Sequence, residues 1–169
     1  MPLMTRSLRC KKKLTFHHLA MTCLGLLAAY GVLLPMHEAR AEAGLNLNDY
    51  DGKVVLIDFW ASWCGPCRQS FPWMNEMHEK YSDDGLIVVA VNLDNDLAAA
   101  NRFLADYPAS FHVHFDDDKS LAREYEVVAM PSSFLIGRDG KMVERHLGFK
   151  VMQQDEYEAA IQAALKAET

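Results

Sequence analysis

Cysteine is scarce in this chain, with four among 169 residues. Cys10 and Cys23 lie in the first 41 residues, so Cys64 and Cys67 are the pair that the remainder keeps. A domain built on disulfides needs more pairs at longer separations, because the stabilisation from a crosslink grows with the loop it closes. A structural zinc site needs four ligands, and no second C-x-x-C supplies them. His112 and His114 fall at i, i+2 on one strand face, but nothing in their spacing brings them to the cysteines, and His78 reads as a surface residue of a helix. Excess positive charge is also missing. Lys and Arg number 17 against 23 Asp and Glu, for a formal net charge of −6. The basic residues are concentrated near the start, so the rest is more acidic still. Such a surface repels phosphates, which argues against nucleic acid as a partner. There is no internal repeat and no low-complexity tract.

The opening of the chain has its own pattern. Arg6, Arg9, Lys11, Lys12 and Lys13 precede the apolar run "LAMTCLGLLAAYGVLL" from Leu19 to Leu34, then Pro35, then "ARA" at Ala39 to Ala41. Basic, apolar and small-x-small is the order of a secretory signal, with cleavage expected after Ala41. Left uncleaved, the same run is a membrane anchor near the lower limit of the ~17 to 25 residues that span hydrocarbon. Both readings place the folded part outside the cytoplasm, most simply in the periplasm of a bacterial envelope. Residues 42–169 then form one domain of about 130 residues, a size that suits a single core.

Within that domain "KVVLIDFW", from Lys53 to Trp60, is apolar, rich in β-branched residues and preceded by Asp51-Gly52, which predicts a buried strand. A helix is expected from about Pro66 to Tyr81, and "LIVVAVNL" from Leu86 to Leu93 reads as a second buried strand, giving a parallel βαβ unit. Asp94 or Asn95 can cap a helix through "LAAANRFLADY", followed by a strand at "FHVHF" and a short helix within "KSLAREYEV". "SSFLIG" and "KMVERHLGF" flank the turn at Asp139-Gly140 as a hairpin. The chain closes on an amphipathic helix with Tyr157, Ile161 and Leu165 on one face. The class is α/β, a mixed sheet covered by helices on both faces.

Cys64 falls between the first strand and the first helix, where unsatisfied N–H groups and the helix dipole favour thiolate over thiol. That makes Cys64 the candidate nucleophile. Cys67, one turn on, is placed to attack the resulting mixed disulfide. Pro66 suits the first helical turn, where its missing N–H costs nothing, and Gly65 lets a partner chain approach the sulfurs. Trp63 can form an apolar rim or simply pack. Asp58, in mid-strand, should be buried with a raised pKa. It is either an aspartate satisfied by hydrogen bonds or a proton acceptor and donor for Cys67, and the cysteines at the end of the same strand favour the second.

"DFWASWCGPC", Pro72 five residues after the second cysteine, and "VVAMPSSFLIGRDGK" with Pro131 before the hairpin resemble the thioredoxin superfamily from about Leu47 to Leu165. The match is closer to its extracytoplasmic TlpA/ResA-like, redoxin-type branch, which carries an extra helix and strand between the βαβ and ββα halves, here about Asp94 to Phe115. The resemblance implies a thiol-disulfide oxidoreductase acting on protein thiols and disulfides, with no cofactor besides the redox-active Cys64–Cys67 disulfide. It implies a cis bond before Pro131, a Met130 backbone that pairs with bound substrate, and a membrane electron donor of the DsbD or CcdA type. Gly-Pro between the cysteines resembles the reducing members. A net oxidase or isomerase is the alternative within the fold, and a copper-handling protein using the cysteine pair and Met130 is the alternative outside it. Two features depart from the branch. Ser70 stands where ResA-type members often carry glutamate, and only "GLNLNDYDGK" separates the signal from the first strand, so the usual N-terminal hairpin is cut short.

Overall fold

β-Branched and aromatic residues dominate Val54–Trp60, and all seven are buried in strand β1, as in a strand covered on both faces. The computed structural model describes residues 45–167. The expected signal, its cleavage site, Cys10 and Cys23 lie outside the described residues. After β1 come helix α1 (Cys67–Tyr81), strand β2 (Leu86–Asn92), helix α2 (Leu97–Asp106), strand β3 (His112–Phe115) and the short helix α3 (Ser120–Glu124). Strands β4 (Ser132–Ile136) and β5 (Met142–Leu147) and helix α4 (Gln154–Lys166) complete the domain.

The five strands form one sheet in the order β3-β2-β1-β4-β5. β1 pairs parallel with β2 and antiparallel with β4, β2 pairs parallel with β3, and β4 pairs antiparallel with β5. This is the thioredoxin fold, and the extra helix and strand are α2 and β3, with β3 at one edge of the sheet. A 3-10 turn at Leu47–Tyr50 precedes β1 among the described residues.

Side chains alternate across β1, so its two faces enter different clusters. Val54, Leu56 and Trp60 pack with Cys67, Phe71 and Met74 of α1 and with Tyr157 and Ile161 of α4. Val55, Ile57 and Phe59 pack with Phe134 on the opposite face, against Leu121, Ala122 and Tyr125. The even-numbered residues of β1 therefore point toward the helix that begins at Cys67, and Asp58 is one of them.

Three local expectations shift. The cap of α2 is Asp96, whose side chain accepts the Ala98 N–H, because Asp94 is committed elsewhere. On α4 it is Ala164 that is fully buried with Tyr157 and Ile161, while Leu165 is half-buried beside the same cluster. Helix α3 stops at Glu124, short of Val127, because Glu126 takes the left-handed backbone conformation. The buried Asp116 carboxylate accepts the Leu121 and Ala122 N–H groups and so anchors this short helix.

Candidate active site

The chain leaves β1 at Trp60 and turns through Ala61–Ser62–Trp63 before α1 begins. Asp94 fixes this loop from the end of β2. Its carboxylate accepts the Ser62 N–H at 2.8 Å, the Ser62 hydroxyl at 2.9 Å and the Asn92 side-chain amide at 2.9 Å. The Cys64 N–H donates to Ala61 O at 3.0 Å and completes the turn. Removing the carboxylate strands a backbone donor and a buried amide. Asp94→Ala should lower the stability of the fold by about 2 kcal/mol, read as an earlier urea midpoint, and should also loosen the loop that presents Cys64.

Cys64 and Cys67 form a disulfide with Cα atoms 5.4 Å apart. Both residues are buried, Cys64 at 3% exposure and Cys67 fully. No side chain caps α1; instead the Cys67 N–H, the first of the helix, points at Cys64 Sγ at 3.2 Å. A helix N-terminus concentrates partial positive charge, so whatever negative charge Cys64 carries when reduced lies where it is favoured. Gly65 and Pro66 are exposed between the sulfurs, and a side chain added at Gly65 would meet only open space. The Ser70 hydroxyl donates to Cys67 O, so this side chain turns back onto the helix.

Asp58 lies beneath α1 at 1% exposure. Burial raises its pKa from 3.8 to about 7, and a hydrogen bond from the Ser133 hydroxyl partly offsets the rise. That hydroxyl donates to Asp58 Oδ1 at 2.5 Å, and Oδ2 has no partner among the described residues. A carboxyl titrating near neutrality can both take and return a proton at physiological pH. Asp58 is therefore hydrogen-bonded on one oxygen and left without a partner on the other among the described residues.

The Met130–Pro131 bond is cis, and Pro131 immediately precedes β4. β4 pairs with β1 so that Ser132 lies opposite Phe59, which puts Pro131 at the same end of the sheet as the Trp60–Cys64 loop. Gly148 N–H donates to Pro131 O, and the Ser132 hydroxyl to Ala129 O, so this turn is tied on both sides. Met130 is half-buried. Trp63 stands 69% exposed, which favours an apolar rim over packing. Among the described residues no cluster of three His, Cys, Asp or Glu could hold a metal ion.

Two contributors were not legible from spacing. Asp94 looks like a helix cap, and Ser133 looks like any polar strand residue. Only the strand register, with Asp58 opposite Ser133, reveals the second.

Residues 37–161 match the Redoxin family model. The thiol-disulfide oxidoreductase ResA of Bacillus thuringiensis subsp. konkukian is 35% identical over 114 residues, covering 67% of this chain and 66% of that protein. The chain thus spans just under two thirds of the length of the curated relatives it matches first. Among solved structures, a Chlorobium tepidum protein given as thiol:disulfide interchange protein DsbE is 53% identical with a TM-score of 0.69, over 72% of this chain and 86% of that one. StoA from Bacillus subtilis, 23% identical with a TM-score of 0.58 over 65% of this chain and 83% of its own, shares the fold.

Proposed function

The chain belongs to the redoxin family, and on that premise we propose that it is an extracytoplasmic thiol-disulfide oxidoreductase that reduces disulfides of envelope proteins. The observation that carries the reading is the geometry of the pair: a disulfide at a helix N-terminus, its outer sulfur on the first helical N–H, above a buried carboxyl that titrates near neutrality. The names of the ResA and DsbE relatives support the same chemistry.

In the reduced chain the Cys64 thiolate attacks one sulfur of a substrate disulfide. An S–S bond forms between Cys64 and that sulfur while the substrate's own S–S bond breaks, releasing one substrate thiolate. Cys67 then gives its proton to Asp58 and attacks Cys64 Sγ, which frees the second substrate thiolate and closes the Cys64–Cys67 disulfide. Two electrons have passed from the chain to the substrate. Trp63, Gly65, Pro66, Met130 and cis-Pro131 form the surface that receives the substrate segment, with the Met130 backbone pairing to it as a strand.

Each turnover leaves the chain oxidised, so an electron donor must restore its thiols. A membrane protein of the DsbD or CcdA type suits a domain exported by the N-terminal signal. Disulfides of apocytochromes c, which must be opened to thiols before haem is attached, are one substrate class that fits such a reductant.

The direction is testable through the reduction potential of the pair, equilibrated against dithiothreitol or glutathione. A reductant should lie well below about −200 mV, toward thioredoxin near −270 mV, whereas a value near −120 mV would make the chain an oxidase of the DsbA kind.

A further inference from the structure

A buried acid that cycles protons needs a way to exchange them with water, and Asp58, at 1% exposure, has none of its own. The strand register supplies one. Asp58 lies opposite Ser133 across β1 and β4, and Ser133 lies opposite His146 across β4 and β5. Directly opposed residues share a sheet face with Cβ atoms about 4.5–5.5 Å apart, so the three side chains stand in a row. The inner link is already made by the hydroxyl of Ser133 on Asp58.

Ser133 and His146 also line one cavity, closed by Trp73 of α1, Tyr157 of α4, and Phe149. It offers about 10 Å³ to the centre of a water molecule, the space that one ordered water requires, and Ser133 and His146 give that water polar partners. At the outer end the His146 side chain is 22% exposed, with Nε2 3.4 Å from Glu144 Oε1 and its ring 4.4 Å from that of Tyr157. The titratable groups that face His146 are therefore Glu144 on its own strand, Tyr157 from α4 and, behind Ser133, Asp58. The row runs from a buried carboxyl to a part-exposed imidazole, a side-chain type that commonly shuttles protons.

We propose that Ser133, one water in this cavity and His146 form the path by which Asp58 exchanges its proton with solvent. The proposal rests on the reading of Asp58 as the proton partner of Cys67. After Cys67 has given up its proton, the Ser133 hydroxyl, which is free to rotate, takes that proton from Asp58 and passes its own to the cavity water. The water passes one to His146, and His146 releases one to solvent. Only O–H and N–H bonds are made and broken, one proton leaves and no electron moves. The same row runs inward when the pair is reduced again.

The test compares the full chain with Asp58→Asn, Ser133→Ala and His146→Phe variants, the last keeping a ring against Tyr157. Repeated turnover of a small disulfide substrate is followed in dilute buffer, then with added imidazole. Both relay variants should turn over roughly tenfold more slowly in dilute buffer, less than the ~10²–10⁴-fold that a general acid–base group itself contributes, because each acts through Asp58. Imidazole should restore His146→Phe, and the reduction potential of that variant should match that of the unmodified chain. Unchanged rates in both relay variants beside a slow Asp58→Asn would overturn the relay and leave the role of Asp58 standing. A slow His146→Phe that imidazole does not restore would assign His146 to packing and also overturn it. If Asp58→Asn itself keeps the full rate, it is the underlying reading that fails. His146→Gln serves if the phenylalanine variant does not fold.

Discussion

A chain carrying Cys67→Ala should stop halfway through its reaction with the substrate still attached. Cys64 keeps its place at the helix N-terminus, so it can still open a substrate disulfide, but no other cysteine among the described residues remains to resolve the product. Turnover should fall by at least about 10³-fold, the scale on which removing a member of a covalent catalytic unit acts. A covalent adduct should build up, visible as a mass increase that dithiothreitol reverses. Cys64→Ala should lose turnover to the same extent yet form no adduct, because Cys67 is fully buried and cannot meet the substrate first. An adduct on Cys67 in that variant would reverse the roles given to the two sulfurs.

The second large effect concerns Asp58 and separates stability from rate. Its carboxyl has an ordinary pKa of 3.8, raised to about 7 in the fold because burial penalises the charge. The folded state therefore holds a proton that the unfolded state has released over this interval. The stability linked to the neutral carboxyl is fully present below 3.8 and is lost as the pH rises through about 7. At about 1.4 kcal/mol for each pH unit, up to about 4 kcal/mol should disappear across that window. Asp58→Asn keeps a neutral side chain of the same shape beside Ser133, so its own loss over the window should be smaller by that amount. Urea unfolding of the oxidised chain and the variant at a series of pH values measures the difference, which should be largest above pH 7. The same variant should exchange disulfides at least tenfold more slowly near neutrality, as expected when a general acid–base group is removed. A variant that is more stable and less active is the signature of a charge kept buried for its chemistry.

What the sequence made legible follows from where chemistry is local. The C-G-P-C segment between an apolar strand and a helix carries its geometry in six or seven adjacent residues, so Cys64, Cys67 and the burial of Asp58 could be read directly. The order of strands and helices was equally plain, because "VVLIDFW" and "LIVVAVN" are uninterrupted apolar runs and the hairpin announces itself at Asp139-Gly140. Less legible was anything decided by tertiary competition. Asp94 has the spacing of a helix cap, but the loop before Cys64 claims its carboxylate and leaves the cap to Asp96. Ser133 and His146 are unremarkable in the sequence. They acquire meaning from the register of β1, β4 and β5, which places residues 75 apart in the chain within a hydrogen bond. The packing of α4 turned on a one-residue rotation of its buried face, a difference that periodicity alone does not resolve.

The central claim is that the fold sets Cys64 apart from Cys67 as the attacking thiolate. The most direct measurement is competitive alkylation of the reduced full chain over a range of pH, with each modified cysteine located by peptide mass. Cys64 should react first, with an apparent pKa below the roughly 8.5 of a free thiol, because the helix N-terminus stabilises its charge. Alkylation of Cys67 ahead of Cys64, or both reacting as ordinary thiols, would contradict it.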